Sequence, residues 1–472
     1  MLSAEVGVRF IWIDSLCIVQ DDENDWDRES LRMAEYYQHS WLTICATTLA
    51  TTGGLFGSIA DEYHPRMTRL PYRSRRNGDQ EGWFYVQCME STILSGDYQK
   101  NIQRSNLLKR GWVFQEWMLS RRLLTFSGEG GLFVQCQREA PHSLHGDAVN
   151  RKSSTAEKVF ESDLFEEKKP SLSWISIVET YSGLELTRLT RDRLVALSGL
   201  AREFGSQAGP DIPYLSGLWG GQCEGLLWEQ NLHGGRVRIK GIPTWSWASM
   251  AVPVNSDDGA TRRDAQGQEF LSGMAVRWPP ESGHAMTVVC QWEGETEVVR
   301  DDTSTMDAAS CVDTQFRADR FFKLKLTGKL LPIQIHGSFG RCEDAAFLST
   351  LTDKDPDFRR DMWRTVTVSS EPDLISGWAS LEHPDYQNDE VIIGDGSLCA
   401  LVIMKNKSVG GWSLGLTDGW LGNQPIFAVL FLKTTGGVNS GITFERVGCG
   451  RLFGTAVENM FKEAELRDIW LV

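Results

Sequence analysis

Features that would assign the chain to a membrane or to the secretory route are missing. Its longest apolar runs, such as Phe427 to Leu432, are far shorter than the roughly 18 residues of a membrane-spanning helix. The apolar opening has no basic leader and contains Arg9 and Asp14, which is unlike a signal peptide. The ten cysteines are scattered singly, with no CxxC pair, and this pattern is typical of reduced thiols. The sequence therefore predicts a cytoplasmic protein without a membrane partner.

Signals for nucleic acid, resident cofactors and metal ions are scarce as well. Lys and Arg number 48 against 63 Asp and Glu, a net charge of −15 that repels phosphate backbones. No phosphate-binding GxGxxG or GxxxxGK[ST] motif stands in the required context. The acidic run Asp21 to Asp25 lacks the spacing of an EF-hand loop, and Cys136, His142 and His145 supply only three ligands. We predict no nucleic-acid partner, no resident cofactor and no metal site.

What the sequence does have is the composition of a folded protein. Its 472 residues are 41% hydrophobic and 24% charged, which suits two or three globular domains. Residues 151–170 are charged and contain serines, as expected of a linker. We predict an α/β domain over residues 1–150, a linker and helical region over 151–250 that ends in PTWSWAS, and a β-rich domain over 251–472.

The N-terminal domain shows the alternation of strands and helices that is typical of an α/β fold. Residues Arg9 to Ile13 are apolar and predict a buried strand with Asp14 at its C-terminal end, where open α/β sheets bind ligands. A helix capped by Asn24 or Asp25 follows, and a later helix begins at about Trp112. We expect a doubly wound sheet with helices on its faces.

The segment PTWSWAS, residues 243–249, alternates large indoles with small residues. This alternation predicts a strand with Trp245 and Trp247 on one face. Ser246 would then point to the opposite side, towards solvent or a partner surface.

Three segments in this order resemble one known family. They are FIWIDSLCIVQDDENDW at 10–26, RGWVFQEWMLSRRLLTF at 110–126 and PTWSWAS at 243–249. Together they resemble the heterokaryon incompatibility (HET) domain proteins of filamentous fungi. That family usually opens with a segment reading roughly Leu-Ser-Tyr-x-Trp-Gly, which does not occur here. We therefore expect a HET domain that is N-terminally incomplete, either through truncation of the gene model or in the natural product.

The resemblance implies a function in non-self recognition after fusion of unlike fungal cells, with the domain as a trigger of programmed cell death. It also implies a TIR-like, flavodoxin-like N-terminal fold, because HET domains have been proposed as distant relatives of TIR domains. Some TIR domains, which belong to innate immunity, cleave NAD with a helical glutamate that follows an aromatic residue. Trp112 and Glu116 lie four residues apart, on one helical face, and resemble that pair. NAD would then be a substrate, and the partners would be other incompatibility proteins or a second copy of the chain.

Two carboxylates are candidate catalytic groups, and each has a structural alternative. Glu116 either stabilises positive charge on a ribose as nicotinamide leaves or pairs with Arg110, Arg121 or Arg122. Asp14 is either a site carboxylate or the cap of the following turn.

Four further residues are candidate ligand contacts. Trp112 supplies an apolar wall, Gln20 and Gln115 carry amides, and Arg110 has the geometry to hold a phosphate. Each amide could equally satisfy backbone groups. Two alternatives to the effector follow, namely a non-catalytic interaction module and an inactive truncated remnant.

Overall fold

The computed structural model describes residues 7–47, 68–73, 81–86, 98–127, 132–136, 139–143, 170–208, 212–230, 237–254, 262, 270–278, 286–298, 321–338, 363–368, 371–382, 398–406, 425–436 and 442–472. They belong to two units, Met1–Glu166 and Glu167–Val472. Each unit has its own hydrophobic core. Most of the predicted linker, residues 151–169, lies outside the described residues.

Among its described residues, the first unit contains short strands and three α-helices. Its elements are α1 (Asp14–Cys17), α2 (Glu23–His39), β1 (Thr43–Ala46), β2 (Thr68–Arg73), β3 (Glu81–Val86), a π-helix (Tyr98–Gln103), α3 (Gly111–Leu119), β4 (Arg122–Phe126), β5 (Leu132–Cys136) and β6 (Glu139–Ser143). One sheet has the order β1-β4-β5-β6, and β2 and β3 form a separate antiparallel pair.

The mixture of helices and strands in the first unit agrees with the predicted α/β class, but the sheet differs from a doubly wound one. Among the described strands of this unit, only β1 and β4 run parallel, whereas β4–β5 and β5–β6 are antiparallel. A crossover that includes α3 separates β1 from β4, which a parallel pair requires. Only a few residues separate β4, β5 and β6 along the chain, and such short connections produce antiparallel neighbours. The described strands of this unit therefore do not have the flavodoxin-like order.

The predicted strand at Arg9 to Ile13 is wrong. The structure has no strand there, and helix α1 begins directly at Asp14. Phe10 and Ile11 are 81% and 67% exposed, so these apolar side chains lack the burial that a strand of this composition needs. An apolar run alone does not supply a neighbouring strand.

The helix predicted after this run exists, but its cap is one that the sequence analysis did not choose. The Asp22 carboxylate accepts hydrogen bonds from the backbone N–H groups of Asn24 (2.9 Å) and Asp25 (3.3 Å). Asn24 and Asp25 lie inside the first turn, where they supply donors to be capped. The carboxylates of Glu23 and Asp25 in that turn complement the helix dipole.

The second unit contains four helices among its described residues and many strands. Its helices are α4 (Pro170–Ser182), α5 (Leu189–Val195), α6 (Ser198–Ala208) and α7 (Thr455–Glu463), with short 3-10 helices at Cys223–Leu226 and Trp247–Ser249. Its strands are β7 (Tyr214–Leu215), β8 (Leu218–Trp219), β9 (Glu229–Gln230), β10 (Val237–Arg238), β11 (Met250–Pro253), β12 (Leu271–Gly273), β13 (Val276–Arg277), β14 (Met286–Val288), β15 (Gln291–Val298), β16 (Phe321–Ser338), β17 (Trp363–Val368), β18 (Glu371–Leu381), β19 (Leu398–Asn406), β20 (Ile426–Gly436), β21 (Thr443–Phe453) and β22 (Leu466–Leu471).

The C-terminal part is rich in β-strands, as predicted, and its largest sheet closes on itself. Strands β16, β19, β20, β21, β18 and β17 form an antiparallel ring, because β16 pairs with both β17 and β19. Closure removes the free edges that an open sheet would expose. Apolar side chains such as Leu331, Val402 and Phe431 fill the core, and Val457 of α7 packs into it.

The helical region that was predicted to end at residue 250 packs with this sheet in one unit. The backbone N–H of Thr244 donates to the Val472 carbonyl (3.0 Å). The guanidinium of Arg446, on β21, lies 3.4 Å from the centre of the Trp228 ring. Buried contacts of this kind cross the position where the sequence analysis placed its second boundary.

The segment PTWSWAS is not a strand. It forms a turn and the 3-10 helix Trp247–Ser249, and β11 begins only at Met250. Ser246 is fully buried; its Oγ donates to the Ser216 carbonyl (2.5 Å) and accepts from the Ala248 N–H (3.1 Å). Both indoles are buried as expected, but the alternation arises from a capped turn.

The partner of this segment is the tight turn between β7 and β8. Ser216 and Gly217 both have positive φ, 43° and 96°, as a two-residue hairpin turn requires. The Gly217 carbonyl accepts from Nε1 of both Trp174 and Trp247, each at 3.0 Å. A Cβ added at Gly217 would lie 2.4 Å from Nε1 of Trp247, so only glycine fits.

We expect Gly217→Ala to destabilise the second unit by more than about 3 kcal/mol, because it combines a clash with the Trp247 indole and backbone strain. The control is Gly221→Ala, which has φ of 78° but nothing within 4 Å of the added Cβ, and which should cost only about 1 kcal/mol. Thermal unfolding followed by tryptophan fluorescence measures both. Equal losses would contradict the steric argument.

Candidate functional site

The candidate site forms where helices α2 and α3 of the first unit meet. Glu116 of α3 is partly buried, and its carboxylate is hydrogen-bonded to the side chain of Tyr37 from α2. A tyrosine hydroxyl that loses water needs a partner, and a buried carboxylate needs a donor. Each group therefore satisfies the other.

A chain of hydroxyl groups fixes the end of the helix that carries Glu116. Ser120 Oγ donates to the Glu116 carbonyl (2.6 Å) and lies 2.7 Å from Thr43 Oγ1 of β1. Thr43 Oγ1 in turn lies 3.1 Å from Ser40 Oγ, at the C-terminal end of α2. These bonds join α2, β1 and α3, so the backbone of Glu116 is held by both neighbouring elements.

Asp14 lies at the first residue of α1, on the exposed side of the same site. Its Oδ1 accepts from the backbone N–H of Ser15 (2.8 Å). The Gln20 amide donates to the carbonyl oxygens of Asp14 (3.2 Å) and Ile18 (2.9 Å). Gln20 thus holds the turn that presents Asp14.

The surroundings of Glu116 change its ionisation. Burial raises the pKa of its carboxyl from 4.5 to about 7; the hydrogen bond from Tyr37 and the charge of Arg110 oppose this, and the negative charge of Asp14 adds to it. Burial also raises the pKa of Tyr37, and it raises that of Cys45 to about 12, in both cases with a further contribution from the Glu116 charge. Asp14, Arg110, Tyr37 and Glu116 therefore form one electrostatic group.

One aromatic wall beside this group is built from α2 and the segment before α1. The Trp12 ring lies 5.1 Å from Tyr36 and 5.7 Å from Tyr37, centre to centre. Trp112 packs edge-on against Trp26 at 5.9 Å. The predicted aromatic partner of Glu116 thus contacts a helix neighbour, and Tyr37 is the aromatic residue that hydrogen-bonds the carboxylate.

The remaining candidates are distributed around the site in different ways. Gln115 is fully buried, so its side chain faces the core of the unit. Arg110 is exposed and acts on the Glu116 carboxyl through its charge. Of the other two arginines proposed as ion-pair partners, Arg122 donates to the Trp41 carbonyl (3.2 Å), and both Arg121 and Arg122 are exposed.

The sequence analysis missed Tyr37 and Cys45. Tyr37 stands among the apolar positions of α2, which predicts core packing, and only its hydroxyl signals that a polar partner must lie nearby. Cys45 lies in β1, a buried position without any sequence signal for a neighbouring carboxylate.

This arrangement suits proton transfer and charge stabilisation near neutral pH. A carboxyl with a pKa of about 7 is half protonated there, so it can donate a proton or stabilise a cation. Among the described residues, no group of three or more His, Cys, Asp or Glu side chains is placed to hold a metal ion. No described helix is both long and apolar enough to span a membrane.

The raised pKa of Glu116 links stability to pH. The folded state prefers the neutral acid, so the stabilisation is complete below the unfolded pKa of 4.5 and is lost as pH rises through about 7. We expect the free energy of unfolding to fall by up to about 3 kcal/mol across this window. In Glu116→Gln the free energy of unfolding should not fall over this pH range, and the variant should be more stable than the wild type at pH 8. Urea unfolding from pH 4 to 8 tests this, with the exposed Glu35→Gln as control; parallel profiles for Glu116→Gln and wild type would contradict it.

Two further variants should move the pKa of Glu116 in opposite directions. Tyr37→Phe deletes the hydrogen bond that favours the carboxylate, so the pKa should rise above 7. Asp14→Asn deletes a neighbouring negative charge, so the pKa should fall. Carboxyl NMR titration of the labelled protein measures both. Shifts of the same sign would mean that these contacts do not control the carboxyl.

The whole electrostatic group lies inside a segment with a known family assignment. Residues 1–116 match the family model described as Heterokaryon incompatibility protein (HET). No curated protein and no solved structure matches the chain. The matched segment contains Asp14, Tyr37, Cys45, Arg110 and Glu116. The chain therefore resembles a heterokaryon incompatibility domain protein over residues 1–116.

Proposed function

We propose that this protein is an effector of heterokaryon incompatibility that triggers programmed cell death after non-self recognition. It would do so by cleaving NAD in the cytoplasm, with Glu116 as the catalytic carboxylate. The observation that carries the proposal is the burial of Glu116 beside Tyr37 and Asp14, which brings its pKa to about 7 within the HET match. An ion pair on the surface would leave a carboxylate with a low pKa and free access to water. A displaced pKa in a cluster of charged and aromatic groups is typical of functional sites.

The chemistry that fits is cleavage of the N-glycosidic bond. The bond between the nicotinamide nitrogen and ribose C1 breaks, and its electron pair leaves with nicotinamide, whose positive charge is thereby neutralised. The ribose becomes a cation that the ionised Glu116 stabilises until a water oxygen adds to C1 and releases a proton. Tyr37 orients the carboxylate, and Arg110 is the cation available to a pyrophosphate. TIR domains supply the analogy for this assignment.

A second candidate is a non-catalytic module that signals by assembly with an incompatibility partner or a second copy. One observation favours it. Five apolar side chains next to the site are exposed, with fractions between 38% and 81%, namely Phe10, Ile11, Ile13, Leu16 and Val19. Contiguous exposed apolar surface is typical of interaction sites. This reading requires no reaction at Glu116, so replacement of that residue separates the two.

Expression of the full chain in fungal or yeast cells tests the proposal directly. We expect the wild type to lower cellular NAD at least tenfold and to kill, and Glu116→Gln, which keeps the shape and removes the charge, to abolish both. The exposed Glu35→Gln, on the same unit, should behave as wild type. With purified protein, NAD loss should rise with pH through about 7, because the ionised form of Glu116 is the active one.

The outcomes assign the function. Death with unchanged NAD, equal for wild type and Glu116→Gln, would overturn the catalytic proposal in favour of assembly. NAD loss that survives Glu116→Gln would place the chemistry at other residues. Absence of both effects with well-expressed, folded protein would reject the effector proposal for this chain.

A further inference from the structure

Two buried cysteines of the second unit face each other, far from the candidate site in sequence. Cys223 begins the 3-10 helix Cys223–Leu226, and Cys290 precedes β15. They are only 1% and 4% exposed. The two side chains are within hydrogen-bonding distance of each other, and Cys223 Sγ lies 3.5 Å from the carbonyl oxygen of Cys290. Both are free thiols here.

The backbone around each thiol is held, so the contact belongs to the fold. The N–H groups of Val289 and Cys290 donate to the Ile403 carbonyl of β19 at 2.9 and 3.4 Å. The second thiol packs beside β16, since a Cβ added at Gly328 would make an ordinary van der Waals contact with Cys290 Sγ at 3.4 Å. Leu226 and Trp228, which follow Cys223, are fully buried.

The contact between the two side chains changes the ionisation of Cys290. The hydrogen bond to Cys223 and burial both raise the pKa of Cys290, so it is protonated at neutral pH. A protonated, buried thiol such as Cys290 reacts slowly, because the thiolate is the nucleophile.

We propose that Cys223 and Cys290 are a modification site, at which a peroxide closes a disulfide between the 3-10 helix and the large sheet. One Sγ, as thiolate, attacks a peroxide oxygen; the O–O bond breaks, giving a sulfenic acid and, after protonation, water. The second Sγ then attacks the sulfenic sulfur, the S–O bond breaks, and hydroxide leaves and takes a proton to form a second water. The two thiols lose two electrons in total, and the peroxide gains them.

A disulfide here would constrain the unfolded chain over a long loop. Its ends lie 67 residues apart in sequence, and loops of such length give large stabilisation when closed. The bond would also tie residues 223–226 to the sheet through Cys290, whose neighbours are already hydrogen-bonded to β19. Oxidation would thus stiffen the connection between the helical and β-rich parts of the second unit.

The experiment exposes the purified full chain to hydrogen peroxide, blocks remaining thiols with iodoacetamide and digests with trypsin without reduction. Cys223 and Cys290 are the single cysteines of tryptic peptides 203–236 and 278–300. We expect one cross-linked species of these two peptides that disappears on treatment with dithiothreitol. The thermal midpoint of the oxidised protein should rise by roughly 5 °C.

The matched control is Cys449→Ser. Cys449 is also fully buried, but its Sγ contacts the carbonyl oxygens of Leu227 (3.7 Å) and Trp228 (3.2 Å). This variant should keep the cross-link, and Cys223→Ser should lose both the cross-link and the rise in midpoint. Wild-type peptides that remain alkylated, or that carry sulfinic or sulfonic acid without a cross-link, would overturn the proposal, whether or not the variants fold.

Discussion

The structure of the first unit depends on how it accommodates one carboxylate that is removed from water. Glu116 lies on a helix whose other side chains are mostly buried. Few orientations of its side chain would therefore bring the carboxylate to water. Tyr37 provides the donor, the Ser120–Thr43–Ser40 hydroxyls fix the backbone, and Asp14 and Arg110 set the charge around it. Since burial of a charge is costly unless compensated, helices α1, α2 and α3 are constrained by a single group. A function for this group would explain why a fold keeps so unfavourable a residue where an apolar one would pack.

The second unit also depends on buried polar groups that need partners, but there the groups are neutral carbonyls. The turn carbonyls of Ser216 and Gly217 accept three side-chain donors, from Trp174, Ser246 and Trp247, in a region from which water is excluded. A buried carbonyl without a partner costs free energy, so these donors specify the turn as well as stabilise it. This turn anchors the segment PTWSWAS. The backbone N–H of Thr244 in that segment donates to the carbonyl of Val472. One hairpin thus connects the helices to the closed sheet.

The sequence was sufficient for many of the helices and strands and insufficient for the contacts between them. Long apolar strands such as β20 and the amphipathic helix α2 were predictable because period and length are local properties. The strand prediction for Arg9 to Ile13 was wrong because a buried strand needs neighbouring elements, which the local sequence pattern does not specify. The strand prediction for PTWSWAS was wrong because a capped turn can bury two tryptophans with the same spacing as a strand. Tyr37 was out of reach because its partner lies 79 residues away.

These contacts change how the HET resemblance should be read. The analogy with TIR domains suggests Glu116 by its position, whereas the structure shows how that glutamate differs from surface glutamates, namely by burial, a tyrosine donor and a neighbouring carboxylate. Trp112, the residue suggested by analogy, contacts Trp26, and the aromatic residue bonded to the carboxylate comes from α2. An analogy between families can therefore point to one carboxylate while the residue that hydrogen-bonds it comes from a different helix. For that reason the supporting tyrosine, and not the motif tryptophan, is the residue whose replacement is most informative about the carboxylate.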